Sequence, residues 1–319
     1  MFALSEKLQR NGVLGINQRN ADFILPHNPR YYYPRVDDKA ETKKLAIAAK
    51  IATPELYYVI EIERQVKELP RLLECLDEFV IKPACGSRGD GIVVITGRRK
   101  EMYRKASGLL IKESELQYHV SNILSGMYSL GGQSDKCLIE YRVRFDPLFS
   151  NITYLGVPDI RTIVFYGIPI MAMVRLPTQM SDGKANLHQG AIGAGIDLGT
   201  GKTIEAVWRN EIISEHPDTG IEVSGLQIPH WDMMLDIAAR CYEMTGLGFQ
   251  GIDLVLDRDR GPLMLEINAR PGLNIQIANN CGLLHRLKKA QDNLGSLNSI
   301  NEKITFAKEH FAVLTMSSV

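Results

Sequence analysis

The stretch that most constrains the fold is residues 251–272, GIDLVLDRDRGPLMLEINARPG. Two apolar runs, 252–257 and 262–268, are joined by a short polar segment that contains a glycine. Apolar, β-branched runs of this length, separated by polar turn residues, are typical of the two strands of a β-hairpin. The sequence therefore predicts a hairpin here.

This hairpin brings acidic side chains together. Side chains alternate between the faces of a strand, so Glu266 and Asn268 share a face. A symmetric turn with an even number of residues pairs Asp257 with Pro262 and sets Asp253 opposite Glu266. Like charges directly across a strand pair are destabilising, so facing carboxylates call for a cation, and such oxygen ligands suit Mg²⁺ better than zinc. An odd-length turn leaves open an ordinary hairpin with solvated carboxylates.

The composition excludes several classes of protein. Lys plus Arg and Asp plus Glu each number 37 among 319 residues, so no net charge attracts nucleic acid or a membrane surface. The five cysteines lack Cys-x-x-Cys spacing, which argues against a disulfide framework or a zinc knuckle. The start lacks the layout of a signal peptide, and the longest apolar stretch, 163–174, is too short and interrupted for a membrane span. We expect a cytoplasmic protein.

The order of predicted elements indicates more than one lobe. Residues 1–38 are rich in Asn, Arg, Pro and Tyr, and Pro26, Pro29 and Pro34 forbid a long helix, which predicts an extended arm over the body. This arm is either a packed strap or part of a substrate site or subunit contact. Helices are expected at 37–51, 66–78, 112–129 and 231–245, and strands at 79–82 and 137–143.

The second informative stretch is the glycine-rich loop 86–91, GSRGDG, between two predicted strands. Its three glycines let backbone N–H groups approach an anion, and Lys82 supplies a point charge suited to phosphate. The loop lacks the Gly-Lys-Ser/Thr of a Walker loop, and it leads into a strand, unlike a dinucleotide fingerprint. The pattern predicts a flap that covers phosphates; the alternative is a flexible turn.

A second hairpin is predicted at 159–175, which is apolar on both sides of its turn. Arg161 and Arg175 lie near its open end, where two unpaired guanidinium groups would form an anion site; the alternative is two solvated arginines. In the polar loop 181–195, His188 has no second His or Cys at ligand spacing, so we expect it to make local hydrogen bonds rather than bind metal.

Taken in order, these pieces resemble the ATP-grasp superfamily of carboxylate–amine ligases, and most closely the group of the ribosomal-protein glutamate ligases (RimK-type) and alpha-L-glutamate ligase-like proteins. The resemblance covers roughly residues 37–284 and rests on the ordered series rather than on any single piece. The motifs, in chain order, are DDK, FVIKPACGSRGDGI, LIEYRV, DIRTIV, MVRLP, NLHQG, GIDLV and LEINARPG.

The resemblance implies that ATP lies between two lobes. Lys39 and Lys82 are expected to contact the phosphates of ATP under the glycine-rich loop. Residues 140–143 are expected to form the hinge along the adenine edge, and Asp146 is expected to bind the ribose hydroxyls. The residues expected around ATP are Lys39, Lys82, Gly86, Ser87, Arg88, Gly89, Asp90, Gly91, Glu140, Tyr141, Val143 and Asp146.

The resemblance also implies a metal site and a set of anion-binding side chains. Asp253, Glu266 and Asn268 match the family's ligands for Mg²⁺, with Mn²⁺ as an alternative metal. Three arginines are expected to neutralise the γ-phosphate, the acyl phosphate and the substrate carboxylate. The residues similar to the family's catalytic side chains are Arg161, Arg175, Asn186 and Arg270.

The expected architecture is an α+β ATP-grasp fold of two α/β lobes that clasp ATP. It comprises an extended arm at 1–38, a first lobe at 39–140, a second lobe at 141–289 and a tail at 290–319. Members of the superfamily usually carry a further α/β lobe before the first lysine, but only 38 residues precede Lys39 here. We therefore expect a second copy of the chain or a partner protein to complete the acceptor site.

The activity implied is an ADP-forming ligase that activates a carboxylate as an acyl phosphate and joins it to an amine, with glutamate or another amino acid as the expected addition. Because both partners in the first step are anions, catalysis consists chiefly of positioning and charge neutralisation. Two alternatives stay open: a kinase on the same fold, and a nucleotide-binding subunit without turnover.

Overall fold

The computed structural model describes residues 6–8, 10–86, 89–129 and 131–313, so the predicted loop residues Ser87 and Arg88 lie outside the described part. Two antiparallel sheets organise the chain, one of six strands and one of seven, with helices packed against them. This is the predicted α+β architecture. Among the described residues, no helix is long and apolar enough to cross a membrane.

The first lobe is built on the six-stranded sheet. Its elements are α1 (Lys39–Ala48), β1 (Leu56–Ile60), α2 (Glu63–Val66), α3 (Leu69–Leu73), β2 (Phe79–Pro83), β3 (Val93–Arg99), β4 (Met102–Lys105), β5 (Leu110–Lys112), α4 (Glu113–Leu124) and β6 (Cys137–Glu140). The strand order is β1-β6-β2-β3-β4-β5. Ile81 and Cys137 of the sheet share a fully buried core with Leu116 and Val120 of α4. The helix predicted at 66–78 is shorter because Pro70 starts α3 as a separate helix.

The second lobe is built on the seven-stranded sheet. Its elements are β7 (Asp159–Phe165), β8 (Ile168–Leu176), β9 (Ile192–Ile196), β10 (Thr203–Trp208), β11 (Glu211–Ile213), α5 (Trp231–Thr245), β12 (Phe249–Asp257), β13 (Gly261–Asn268), α6 (Ile275–Ala278), α7 (Leu283–Asn293) and α8 (Ile300–Phe311). The strand order is β11-β10-β9-β8-β7-β12-β13. Every residue of β12, which lies between β7 and β13, is buried. Helices α5 and α8 pack against this sheet, and Phe306 and Phe311 of α8 join its core.

The turn of the β12–β13 hairpin differs from the expected one. Asp257 pairs with Gly261 rather than with Pro262, so the turn holds three residues, an odd number. The Asp257 carboxylate closes this turn, because its Oδ1 accepts hydrogen bonds from the backbone N–H groups of Asp259 and Arg260, both at 2.9 Å. Gly261 has a φ of +73°, a conformation that favours glycine.

A bulge restores the predicted carboxylate pair. Leu254 lies opposite Met264, but Asp253 lies opposite Glu266, so Leu265 is an extra residue in β13. One extra residue in β13 shifts its pairing with β12 by one position, so that each residue of β13 after the bulge faces a different residue of β12 than it would without the bulge. The predicted apposition of Asp253 and Glu266 is confirmed, although the turn that was expected to produce it is absent.

The N-terminal segment is a series of short helical turns rather than the predicted extended arm. The turns are Ile16–Gln18, Arg19–Ile24, Leu25–His27, Arg30–Tyr32 and Pro34–Asp37, of which Arg19–Ile24 is a π-helix. Pro26 and Pro34 lie in the first turn of their helices, where the missing N–H costs no hydrogen bond. Phe23, Ile24 and Val36 are buried in the core of the second lobe. The segment is therefore part of that lobe.

Gly282 permits the closest backbone approach between the N-terminal segment and the second lobe. A Cβ at this position would lie 2.1 Å from the carbonyl carbon and oxygen of Gly12. Gly282→Ala is expected to lower the free energy of unfolding by about 1–3 kcal/mol, since backbone atoms must move apart. Urea unfolding measures the change.

Gly295→Ala is the matched control, because no atom of the described residues lies within 4 Å of the Cβ it would add. Equal stability of the two variants would contradict the close packing of the N-terminal segment.

Candidate functional site

Glu140, at the end of β6, lies between two lysines. β6 is hydrogen-bonded to β2, which carries Lys82, and α1 supplies Lys43. Glu140 Oε1 lies 2.5 Å from Lys82 Nζ, and Oε2 lies 2.8 Å from Lys43 Nζ. All three side chains are at most 5% exposed. We call these three residues the lysine cluster.

The lysine cluster carries one more positive than negative charge. Burial acts to raise the pKa of Glu140, but the two ammonium groups outweigh it and hold this pKa below its usual range. Burial lowers the pKa of Lys43 to about 8, against the attraction of Glu140. Because charges interact strongly away from water, a buried excess of positive charge favours an anion nearby.

The glycine-rich loop follows β2 and is contacted by another lysine. Lys39 is the first residue of α1, which Asp38 caps, and its Nζ donates a hydrogen bond to Gly86 O at 2.7 Å. Gly89 and Gly91 have φ of +79° and +76°, so the loop uses conformations that favour glycine. Lys39 thus contacts the start of this loop, and Lys82 lies on β2, which leads into it.

The loop also contacts the second lobe. Asp90 Oδ1 lies 3.8 Å from Lys184 Nζ, and both side chains are partly exposed. Lys184 is close in sequence to Asn186, whose side-chain oxygen accepts a hydrogen bond from the backbone N–H of His188 at 3.0 Å. The Asn186 side chain therefore caps the short helix Leu187–Gln189.

The residues that follow β6, expected at adenine and ribose, already make local contacts. The Tyr141 N–H donates to Glu55 O at 2.8 Å. The Asp146 carboxylate accepts a hydrogen bond from Leu148 N at 2.8 Å and so caps a turn. Val143 is buried. Of these groups, the Tyr141 N–H and one oxygen of Asp146 are engaged within the protein.

Four charged side chains meet across the centre of the second sheet. Asp253 on β12 accepts hydrogen bonds from Arg161 Nε at 2.7 Å and Arg161 Nη2 at 2.6 Å. Arg175 on β8 donates to Asp253 at 2.9 Å and binds Asp159 through Nε and Nη2, both at 2.5 Å. We call Asp159, Arg161, Arg175 and Asp253 the arginine–aspartate cluster. The expectation that Arg161 and Arg175 are unpaired was wrong, because each faces an aspartate across a neighbouring strand.

Asp159 is a site residue that the sequence analysis missed. Its Cα lies opposite that of Arg175 in the β7–β8 pair, and it shares a face with Arg161 two residues on. Burial raises the pKa of Asp159 to about 6, against the attraction of Arg175. Burial also acts to raise the pKa of Asp253, but Arg161 and Arg175 outweigh it and lower this pKa. The alternation of charges along a predicted hairpin was the signal that could have revealed Asp159.

Three oxygen-bearing side chains stand together at the β12–β13 pair. Asp253 and Glu266 are direct partners, and Asn268 Nδ2 donates to Asp253 Oδ2 at 3.3 Å. Within the described ranges, Glu266 makes no ion pair, and no group of three His, Cys, Asp or Glu side chains is arranged to hold a metal. Asp253 Oδ1 accepts only the bond from Arg161 in the described part, which leaves it a free lone pair.

Arg270 lies just beyond β13, on the exposed side of the same region. Its guanidinium lies 4.6 Å from the centroid of the Tyr33 ring, a cation–π contact with the N-terminal segment. The structure thus brings together Asp253, Asn268 and the two paired arginines, with Glu266 across the strand pair. It places Arg270 against residues that the sequence analysis assigned to an arm.

Glu140→Gln tests the lysine cluster. The substitution leaves two ammonium groups close together in a buried position, so we expect it to lower the free energy of unfolding by about 3–5 kcal/mol. Lys43→Met in the same background is expected to recover part of the loss, because one unpaired charge disappears. Urea unfolding of the single and double variants measures both effects.

Glu74→Gln, an exposed carboxylate in the same lobe, is the control and should leave stability unchanged. A loss no larger than that of this control would show that Glu140 does not hold the two lysines.

Comparisons with known proteins identify the family. The model of the family described as sugar-transfer associated ATP-grasp matches residues 18–292. A comparison with curated proteins found no match.

Three solved structures illustrate the likeness. ATP-grasp ligase PsnB with its minimal precursor is 14% identical, with 84% of this chain and 63% of that chain covered and a TM-score of 0.46. D-cycloserine synthetase DcsG is 16% identical, with 83% and 72% covered and a TM-score of 0.46. D-alanyl-alanine synthetase A from Vibrio cholerae is 12% identical, with 82% and 65% covered and a TM-score of 0.47.

This chain spans less than two thirds of the length of PsnB and of the Vibrio cholerae synthetase. The family match, in contrast, extends over most of the 319 residues, including both lobes and the N-terminal segment from residue 18. The chain therefore belongs to the sugar-transfer associated ATP-grasp family.

Proposed function

We propose that the protein is an ATP- and Mg²⁺-dependent ligase that joins a carboxylate to an amine through an acyl phosphate. One observation carries this proposal: Asp253 and Glu266 face each other across β12 and β13, while Arg161 and Arg175 hold Asp253 from the neighbouring strands. Oxygen ligands beside fixed cations are what the transfer of a phosphoryl group between anions requires.

The triphosphate of ATP is placed beside the glycine-rich loop. The excess positive charge of the lysine cluster and the contact of Lys39 with Gly86 support this position. Backbone N–H groups of the loop would add hydrogen bonds to phosphate oxygens. The adenine is proposed to lie along residues 140–143, next to the ion pair of Lys82 and beside backbone groups other than the Tyr141 N–H, which is bonded to Glu55 O. The contact between Asp90 and Lys184 would hold the loop across the cleft and exclude water.

Glu266, Asn268 and Asp253 are proposed to hold Mg²⁺, and Mn²⁺ accepts the same ligands. A set made only of carboxylate and amide oxygens fits a hard cation. Glu266 is free of ion pairs in the described chain, and Asp253 Oδ1 keeps a lone pair. When bound, the metal ion neutralises charge on the transferring phosphoryl group.

The reaction has two steps. A carboxylate oxygen of one substrate attacks the γ-phosphorus of ATP, the bond to the β-phosphate oxygen breaks, and ADP leaves. The amine then attacks the acyl carbon, phosphate leaves with the bonding electrons, and the amine loses a proton to form an amide. Arg161 and Arg175 are proposed to stabilise the charge of the acyl phosphate, because each binds its aspartates through Nε and Nη2 and keeps Nη1 for a ligand.

The amine is proposed to be glutamate or another amino acid. The decisive experiment measures ADP and phosphate release with Mg²⁺-ATP and pools of carboxylates and amino acids, followed by mass spectrometry. A product lighter than its two substrates by one water, formed together with ADP, would establish the ligase. ADP with a stable phosphorylated product would instead identify a kinase.

Glu266→Gln tests the metal site. The substitution keeps the shape of the side chain but removes the charge that a metal ion needs, so we expect turnover to fall by at least about a hundredfold. Nucleotide binding without metal should be unaffected. Glu205→Gln, an exposed carboxylate on β10 of the same sheet, is the control. Turnover equal to that of the control would contradict the metal assignment.

Lys82→Ala tests the nucleotide site. Loss of the ammonium group should weaken ATP binding by about tenfold or more, since a charge-assisted contact to phosphate is removed. Lys67→Ala removes an exposed lysine of the same lobe and should leave affinity unchanged. Calorimetric titration with a non-hydrolysable ATP analogue measures both. An unchanged affinity in Lys82→Ala would count against the position given to the triphosphate.

A further inference from the structure

The N-terminal segment is fixed to the loop that carries Arg270. Asn28 is 2% exposed, and its Nδ2 donates to Phe249 O at 2.6 Å and to Ala269 O at 3.0 Å. Its Oδ1 accepts from Phe249 N at 2.8 Å. These buried hydrogen bonds join the segment to the start of β12 and to Ala269, the residue before Arg270. The position of the segment relative to the backbone of Arg270 is therefore fixed.

A second buried amide fixes the other end of the segment. Gln276 on α6 accepts a hydrogen bond from Leu14 N at 2.8 Å and donates one to Leu14 O at 3.1 Å. The segment therefore lies along the loop 269–274, held by side chains on both sides. Buried amides whose bonds are satisfied specify one arrangement, because any other leaves polar groups unpaired.

Arg19 lies in this segment and reaches the same loop. Its Nη1 donates to Pro271 O at 2.7 Å, and its Nε and Nη2 bind Asn20 Oδ1. Burial, and then the positive charge of Arg270, lower the pKa of Arg19. Within the described ranges, neither Arg19 nor Arg270 forms an ion pair. Two arginines are thus kept near each other, with N–H groups of both left for a ligand.

The charges around this pair favour an anion. Burial raises the pKa of Asp37, although the nearby positive charges of Arg270 and Lys39 act to lower it. Arg270 and Lys39 both act on Asp37, whereas the neighbouring Asp38 is paired with Lys136. Lys39 also binds Gly86 O, so the region adjoins the glycine-rich loop. Arginine binds carboxylate and phosphate groups through paired hydrogen bonds, which makes such groups the best ligands here.

We infer that Arg19 and Arg270 form an anion subsite for the acceptor substrate. It binds an anionic group, a carboxylate or a phosphate ester, that is separate from the carboxylate that reacts. The N-terminal segment thereby completes the acceptor site within one chain. That the bound anion belongs to the acceptor substrate rests on the proposed ligase function. That Arg19 and Arg270 bind an anion does not depend on this function.

Calorimetric titrations of the full chain with malonate and with inorganic phosphate test the subsite. The protein is first saturated with Mg²⁺ and a non-hydrolysable ATP analogue, so that the triphosphate position is filled. Wild type is expected to bind one of the two anions, and the preferred one distinguishes a carboxylate from a phosphate group. Arg19→Gln keeps an amide donor for Pro271 O and should weaken this binding by about tenfold or more.

Arg270→Gln should weaken anion binding to a similar extent. Among the described residues Arg270 makes no hydrogen bond or ion pair, and its contact with the Tyr33 ring is worth only about 0.5–1 kcal/mol at an exposed site, so its loss should leave the protein folded. Arg30→Gln, an exposed arginine of the same segment, is the control and should bind the anion as wild type does. No anion binding by wild type, or equal binding by Arg19→Gln and Arg30→Gln, would overturn the inference.

The nucleotide titration separates this inference from the proposed function. If ATP turnover is found but anion binding does not depend on Arg19, only the subsite is wrong. If no carboxylate supports ADP release but anion binding requires both arginines, the subsite stands and the ligase proposal fails. Where an acceptor is found, Arg19→Gln should raise its KM and leave the KM of ATP unchanged.

Discussion

The second lobe depends on the buried carboxylate of Asp253 on β12. Two arginines from the neighbouring strands β7 and β8 bind it, and Asp159 binds the outer arginine in turn. Because these four side chains are almost fully buried, each charge is stable only while the others stay in place. The same contacts that hold three strands in register therefore fix the direction of the guanidinium groups at the proposed site.

Local patterns predicted a good part of this architecture. Alternation along β12 and β13 with an even-length turn paired Asp253 with Glu266, and this pairing holds only because the odd-length turn and the bulge compensate each other. The spacing of the glycines located the loop that Lys39 contacts. The sequence patterns did not reveal ion pairs between side chains that are distant in sequence. In the sequence Lys43 is one more polar residue of a predicted helix, and only the folded structure shows that it binds Glu140 of β6.

The N-terminal segment shows why composition alone misled. Prolines and polar residues suggested an extended arm, since they forbid one long helix. They are compatible with a series of short turns, and buried Phe23 and Ile24 fix those turns on the second lobe. The family match, which begins at residue 18, includes this segment. The segment is therefore part of the region that the family shares rather than an arm outside it.

The bulge in β13 links two features that could otherwise change separately during evolution. The three-residue turn and the extra residue Leu265 cancel each other, so that Asp253 still meets Glu266. A relative that lacks the bulge but keeps the same number of residues between Asp253 and Glu266 needs a turn that is longer by one residue, or the two carboxylates no longer face each other. We therefore expect insertions and deletions in these two places to occur together across the family, as a compensated pair of length changes.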